Sequence, residues 1–116
     1  GSGAVVDVHV DPDLVLPETT VLAVYRIAQE AMTNISRHSG AMHAWVEVAT
    51  AGRYVRLRVA DDGTGPPADP PSRGSGLVGI DERVRGLDGH WSISERPGGG
   101  TMVDAYLPLK RIAAPS

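Results

Sequence analysis

The chain has 116 residues, 41% hydrophobic and 22% charged, the size and balance of one globular domain with a core of its own. Cysteine is absent, which excludes disulfides, thiolate metal sites and cysteine nucleophiles and makes a cytoplasmic setting the expectation. A formal net charge of −3 argues against nucleic acid as the main partner, and no apolar run is long enough to span a membrane, so no membrane contact is expected.

Gly1–Gly3 carries no weight, no secretory leader is legible, and the chain reads as a piece of something longer. "AVVDVHV" (4–10) alternates apolar and polar residues, which predicts a half-buried strand. Pro12 and Pro17 then break the pattern, and Pro17 suits the threshold of a helix, where its missing N–H costs nothing. From Glu18 to about Ser39, Val21, Leu22, Val24, Tyr25, Ala28, Met32 and Ile35 recur at helical spacing, and Gly40 stops the helix. "MHAWVEVAT" (42–50) and "YVRLRVAD" (54–61) alternate on either side of "AGR", predicting a hairpin. "DGTGPPADPPSRGSG" (62–76) is too rich in Gly, Pro and Ser for regular structure and too long for a plain connection, so it reads as functional or mobile. "LVGIDERVRGLDG" (77–89) reads as a helix with Ile80, Val84 and Leu87 on one face and Gly89 at its end. "HWSISER" (90–96), the turn "PGGG" and "TMVDAYLPL" (101–109) form a second hairpin, and 110–116 reads as a tail to a single domain over 1–109. The pattern is α+β, with helices packed on one face of a mostly antiparallel sheet. With no phenylalanine and 4% aromatics, the core must be aliphatic.

In "RIAQEAMTNISRHSG" (26–40), Glu30, Asn34 and His38 recur every four residues, with Arg37 beside them. Each four-residue step turns an α-helix by about 400°, so the three form one shallow stripe. The stripe reads either as a solvated face or as a carboxylate beside a neutral oxygen donor, a pair suited to Mg²⁺ that arrives with a phosphate. "DDGTG" (61–65) puts a carboxylate at a strand end, where it can accept a hydrogen bond from an exocyclic amine such as that of adenine. Gly63 and Gly65 let backbone approach a flat ligand, although Asp-Gly is also a common turn pair. "GSGLVGI" (74–80) matches G-x-G-x-x-G, with Glu95 near the position of a ribose-binding acid, but it follows a proline-rich loop, so the dinucleotide reading fails. What remains is a glycine-rich entry to a helix N-terminus, which favours phosphate or is simply capped by Ser75. Thr101, after "GGG", offers a hydroxyl to a phosphate or is a β-branched strand residue. His9, His43 and His90 share no ligand spacing and read as ordinary surface or packed residues.

The order E-x-x-x-N-x-x-x-H, D-x-G-x-G, G-x-G-L and G-G-G-T before a last strand resembles the ATP-binding domain of sensor histidine kinases. That domain belongs to a superfamily shared with gyrase, Hsp90 and MutL. "YRIAQEAMTNISRHSGA" and "GSGLVGIDERVRGLDG" look like the subfamily of the nitrate, DesK and DegS sensors, with actinobacterial heme-based sensors a closer likeness. The resemblance implies a Bergerat-type ATP-binding fold, a two-layer α/β sandwich whose mixed sheet is covered on one face by helices, with ATP between helices and a lid, and a histidine kinase using ATP and Mg²⁺. It makes Glu30 the catalytic acid-base residue, Asn34 the Mg²⁺ ligand, and Arg37 and His38 neighbours of the phosphates. It makes Asp61 the contact to the adenine amine, with Gly63 and Gly65 on the pocket floor. Gly74, Gly76 and Leu77 form the glycine box beside the triphosphate, Thr101 lies near adenine and its water, and 66–73 is the lid. The lid carries four prolines, and the family's phenylalanine box is missing. No stretch resembles the phospho-accepting histidine, so the implied partners are a separate histidine-bearing dimerisation domain and a response regulator. An anti-sigma-type serine kinase and a degenerate, nucleotide-free interaction module are the alternatives.

Overall fold

A computed structural model describes residues 5–38, 40–65 and 76–109, and for residues 34–38 and 76 it describes the backbone alone. The elements run β1 (Val5–Val10), α1 (Glu18–His38), β2 (His43–Ala51), β3 (Tyr54–Asp61), α2 (Gly76–Gly86), β4 (His90–Glu95) and β5 (Thr101–Pro108). They form one five-stranded sheet in the order β1-β2-β3-β5-β4. The β1–β2 pair is parallel, joined through α1, and every other pair is antiparallel, as the mixed sandwich requires. β3 and β4, the strands on either side of α2, are not neighbours, so α2 closes no βαβ unit and the dinucleotide motif is without its frame. The tail over 110–116, the lid over 66–73 and Gly74 lie outside the described residues.

Alternation sorts the sheet into two faces. Ala44, Val46 and Val48 of β2, Val55, Leu57 and Val59 of β3, and Val103, Ala105 and Leu107 of β5 point under the helices and are buried. Ile27 and Ala31 of α1 and Leu77, Ile80 and Val84 of α2 close the core from above. It is aliphatic throughout. The opposite face carries Arg56 paired with Glu47, and Arg58 with Asp104 at 2.6 Å, a contact that favours the charged guanidinium. His90 stacks on Tyr106 with ring centroids 5.0 Å apart, and Tyr54 meets both rings edge-on.

Three expectations change in detail. β1 is a strand, but all six of its residues are exposed and not half-buried, because it is the sheet edge and the helices pack over the central strands. Val21, Leu22 and Tyr25 of α1 are 51–63% exposed, so the early part of that apolar series lies off the core, whereas Ile27 is fully buried. α2 ends at Gly86, three residues before the expected stop. Gly89 N–H donates to Val84 O (2.9 Å) and Asp88 N–H to Arg85 O (3.0 Å), the Schellman pattern. The left-handed residue of that cap is Asp88 (φ 58), not Gly89. Gly89 is needed for a different reason: a Cβ there would press on the Tyr106 carbonyl and stand 3.0 Å from Leu107 Cδ2.

Candidate functional site

Two carboxylates on neighbouring elements define the site. Asp61 ends β3 on the core face, between Ala44 of β2 and Thr101 of β5, and is 1% exposed. The sheet delivers it there through strict alternation from Val55, Leu57 and Val59. The Gly63 N–H donates to Asp61 Oδ1 at 2.7 Å, so the carboxylate is oriented by its own loop. Asp61 Oδ2 is buried and has no hydrogen-bond partner among the described residues. An unmatched buried acceptor costs about 1–3 kcal/mol, so this oxygen stands out as a place for a further donor.

The floor of this region is backbone. A Cβ on Gly100 (φ +107) would collide with the Asp61 carbonyl, standing 2.8 Å from its carbon. The β4–β5 turn therefore lies against the end of β3. Gly65 (φ +101) comes within reach of the Gly100 carbonyl as well. Asp62, next in sequence, points away. Its Oδ1 accepts the N–H groups of Met42 (2.8 Å) and His43 (2.9 Å), and its Oδ2 lies 3.2 Å from His43 Nδ1. Those contacts, led by the His43 amide, hold its carboxyl below the usual range and tie the loop to the start of β2.

Glu30 lies on α1 and faces α2. Its Oε1 accepts a hydrogen bond from Arg83 Nε at 3.0 Å, and its Oε2 is buried without a partner among the described residues. Earlier α1 residues, Thr19, Leu22, Ala23 and Arg26, share a groove with Arg83 and Gly86 of α2 and with Leu87 just past its end. The helices thus run antiparallel, and the first turn of α2, from Gly76, lies beside the α1 turn that carries Asn34. That first turn holds no acidic side chain of its own.

The structure therefore groups Asp61, Gly63, Gly65 and Thr101 at one end of the sheet, and Glu30 with the opening of α2 between the helices. Leu77 is part of the hydrophobic core at 3% exposure, where it can shape a wall. The side chains of Asn34, Arg37 and His38 lie outside the described residues, in the last turns of α1. Among the described residues, no group of three or more His, Asp or Glu side chains comes together to hold a metal ion. Also among them, no helix is long and apolar enough to cross a membrane. Gly79 and Arg83 were not legible as site residues. The available signal was Gly79 itself, since a glycine inside a helix costs about 1 kcal/mol against alanine and marks a close approach.

The family model for histidine kinase-, DNA gyrase B- and HSP90-like ATPases matches residues 19–111. The chain belongs to this family. As an ATPase domain of this kind it is similar to DegS, a signal transduction histidine-protein kinase/phosphatase of Brevibacillus brevis. The two are 32% identical over 102 residues, covering 87% of this chain and 26% of DegS. It is 35% identical over 81 residues to the sensor histidine kinase YvfT of Bacillus subtilis, covering 70% of this chain and 21% of YvfT. Among solved structures, the blue-light activated histidine kinase of Erythrobacter litoralis EL346 matches it with a TM-score of 0.79 and 25% identity, covering 94% of this chain and 36% of that one. The ATPase domain thus spans about a quarter of the length of the curated relatives it matches. These relatives bear out the histidine-kinase resemblance and the sandwich fold.

Proposed function

We propose that this ATPase domain binds Mg²⁺–ATP and, within a larger cytoplasmic kinase, passes the γ-phosphoryl group to a histidine on a separate dimerisation domain. From there phosphate would go to an aspartate of a response regulator. The observation that carries the reading is Asp61 Oδ2, a buried carboxyl oxygen with no donor among the described residues, at a glycine-lined strand end. An adenine amine supplies that donor, and Gly63 already holds the other oxygen. Gly65 and Gly100 keep the surroundings free of side chains, and Thr101 stands directly opposite Asp61 in the sheet.

Toward the helices, Gly74, Gly76 and the open first turn of α2 hold phosphate oxygens, with Arg37 and His38 beside them. Asn34 would be the protein ligand to Mg²⁺, and the bound ion would supply charge neutralisation for the phosphates. A neutral oxygen donor that leaves the remaining ligands to phosphates and water fits this ion. In the transfer, a ring nitrogen of the incoming histidine forms the N–P bond as the bond from phosphorus to the ADP oxygen breaks. Glu30 takes the hydrogen bond, and then the proton, of the other ring N–H.

Calorimetric titration with Mg²⁺–ATP tests the pocket. Binding is expected, and Asp61→Asn should weaken it roughly 10- to 100-fold, the worth of a hydrogen bond to a buried charged group. Equal affinity of the two proteins would refute the pocket assignment. Supplying a histidine-bearing domain in trans tests the chemistry. Phosphate on serine of a protein partner would instead indicate an anti-sigma-type kinase, and absence of nucleotide binding an interaction module.

A further inference from the structure

Glu30 is set in place by α2, through two residues with no assigned role. Arg83 reaches across from α2 and donates from Nε to Oε1 at 3.0 Å, and Oε2 has no donor among the described residues. Opposite Oε2 is Gly79, one helical turn before Arg83. A Cβ at Gly79 would stand 2.8 Å from Glu30 Cδ and press still harder on Oε2. The glutamate side chain is 27% exposed, so the contact is neither a deep structural ion pair nor a loose surface one.

We propose that Arg83 and Gly79 are positioning residues for Glu30. Arg83 fixes one carboxylate oxygen, and Gly79 clears the seat that the other occupies. Held at one oxygen and seated against α2 at the other, the carboxylate is kept in one orientation, which a base acting on an incoming group requires. The proposal rests on Glu30 being the catalytic base, and on nothing about Asp61.

The test measures phosphorylation of a histidine-bearing domain in trans by this chain, alongside calorimetric ATP binding. Arg83→Ala should lower the turnover rate at saturating ATP about 10- to 100-fold, the scale of a misplaced catalytic group, and change KM for ATP by no more than about twofold. Gly79→Ala, in which the added methyl meets only the movable end of Glu30, should do the same with the fold intact. Arg83→Lys should recover part of the rate. In a Glu30→Gln background both substitutions should have almost no further effect, because a residue acting through Glu30 has nothing left to act on. An unchanged or increased rate in Arg83→Ala, or an undiminished effect in the Glu30→Gln background, would overturn the proposal. If the parent chain bound no ATP, the functional reading itself would fall, a result visible before any variant is made.

Discussion

The two carboxylates of the site are held in opposite ways. Asp61 is fixed locally: a strand end places it, and the amide two residues on orients it. Glu30 is fixed at a distance, by a guanidinium 53 residues away on another helix. Each has a glycine pressed against it, yet Gly100 abuts the Asp61 backbone whereas Gly79 abuts only the end of the Glu30 side chain. A group held by backbone is rigid before any ligand arrives. A group held through a helix–helix contact follows that helix, which suits a residue needed only when the nucleotide is in place.

Substitutions can break or sharpen that contrast. The largest effect should come from the core beneath both groups: Ile80→Ala, at a fully buried position of α2, should cost about 2–5 kcal/mol in urea denaturation and loosen the platform of Gly79 and Arg83. Next is Gly100→Ala, which combines a left-handed φ of +107 with a collision against backbone. It should destabilise the domain by roughly 2 kcal/mol or more, with loss of ATP binding. Gly79→Ala should differ even in sign. Its clash is with a side chain that can swing away, and alanine gains up to about 1 kcal/mol of helix propensity, so stability should hold or rise while phosphotransfer falls. If both glycine variants lost stability alike, the distinction between a backbone-held and a helix-held carboxylate would be wrong.

The smallest expected effect is on acid stability. Asp62 and Asp81 both have pKa values held below the ordinary aspartate range, Asp62 chiefly by the His43 amide and Asp81 chiefly by the Trp91 indole N–H at 2.8 Å and then by Arg85. A depressed pKa means stabilisation that is present at neutral pH and lost as pH falls through the folded-state value. The urea midpoint should therefore decline as pH is lowered from about 5 to 2, and Asp81→Asn should flatten that decline. A steeper decline in the variant would contradict the assignment.

Much of this was legible in the sequence because it is local. Periodicity gave every strand and both helices, and the Asp61 loop announced itself by a carboxylate at a strand end followed by spaced glycines. What escaped was non-local. The exposure of β1 follows from its place at the sheet edge, which no alternation within "VVDVHV" encodes. Gly89 looked like a helix cap because glycine usually fills that place, but Asp88 takes the left-handed turn and Gly89 answers to β5. Nothing within "LVGIDERVRGLDG" singles out Arg83. Only the antiparallel packing of α2 on α1 gives it a partner.

The central claim is that Asp61 Oδ2 is a buried acceptor awaiting the amine of adenine, and base selectivity tests it most directly. Guanine carries a carbonyl where adenine carries that amine, so it would set lone pairs against the carboxylate and leave both unpaired. Calorimetric titration of this chain with Mg²⁺–ATP and with Mg²⁺–GTP should show ATP binding with at least about 30-fold preference, a difference near 2 kcal/mol. Equal binding of the two nucleotides would contradict the account.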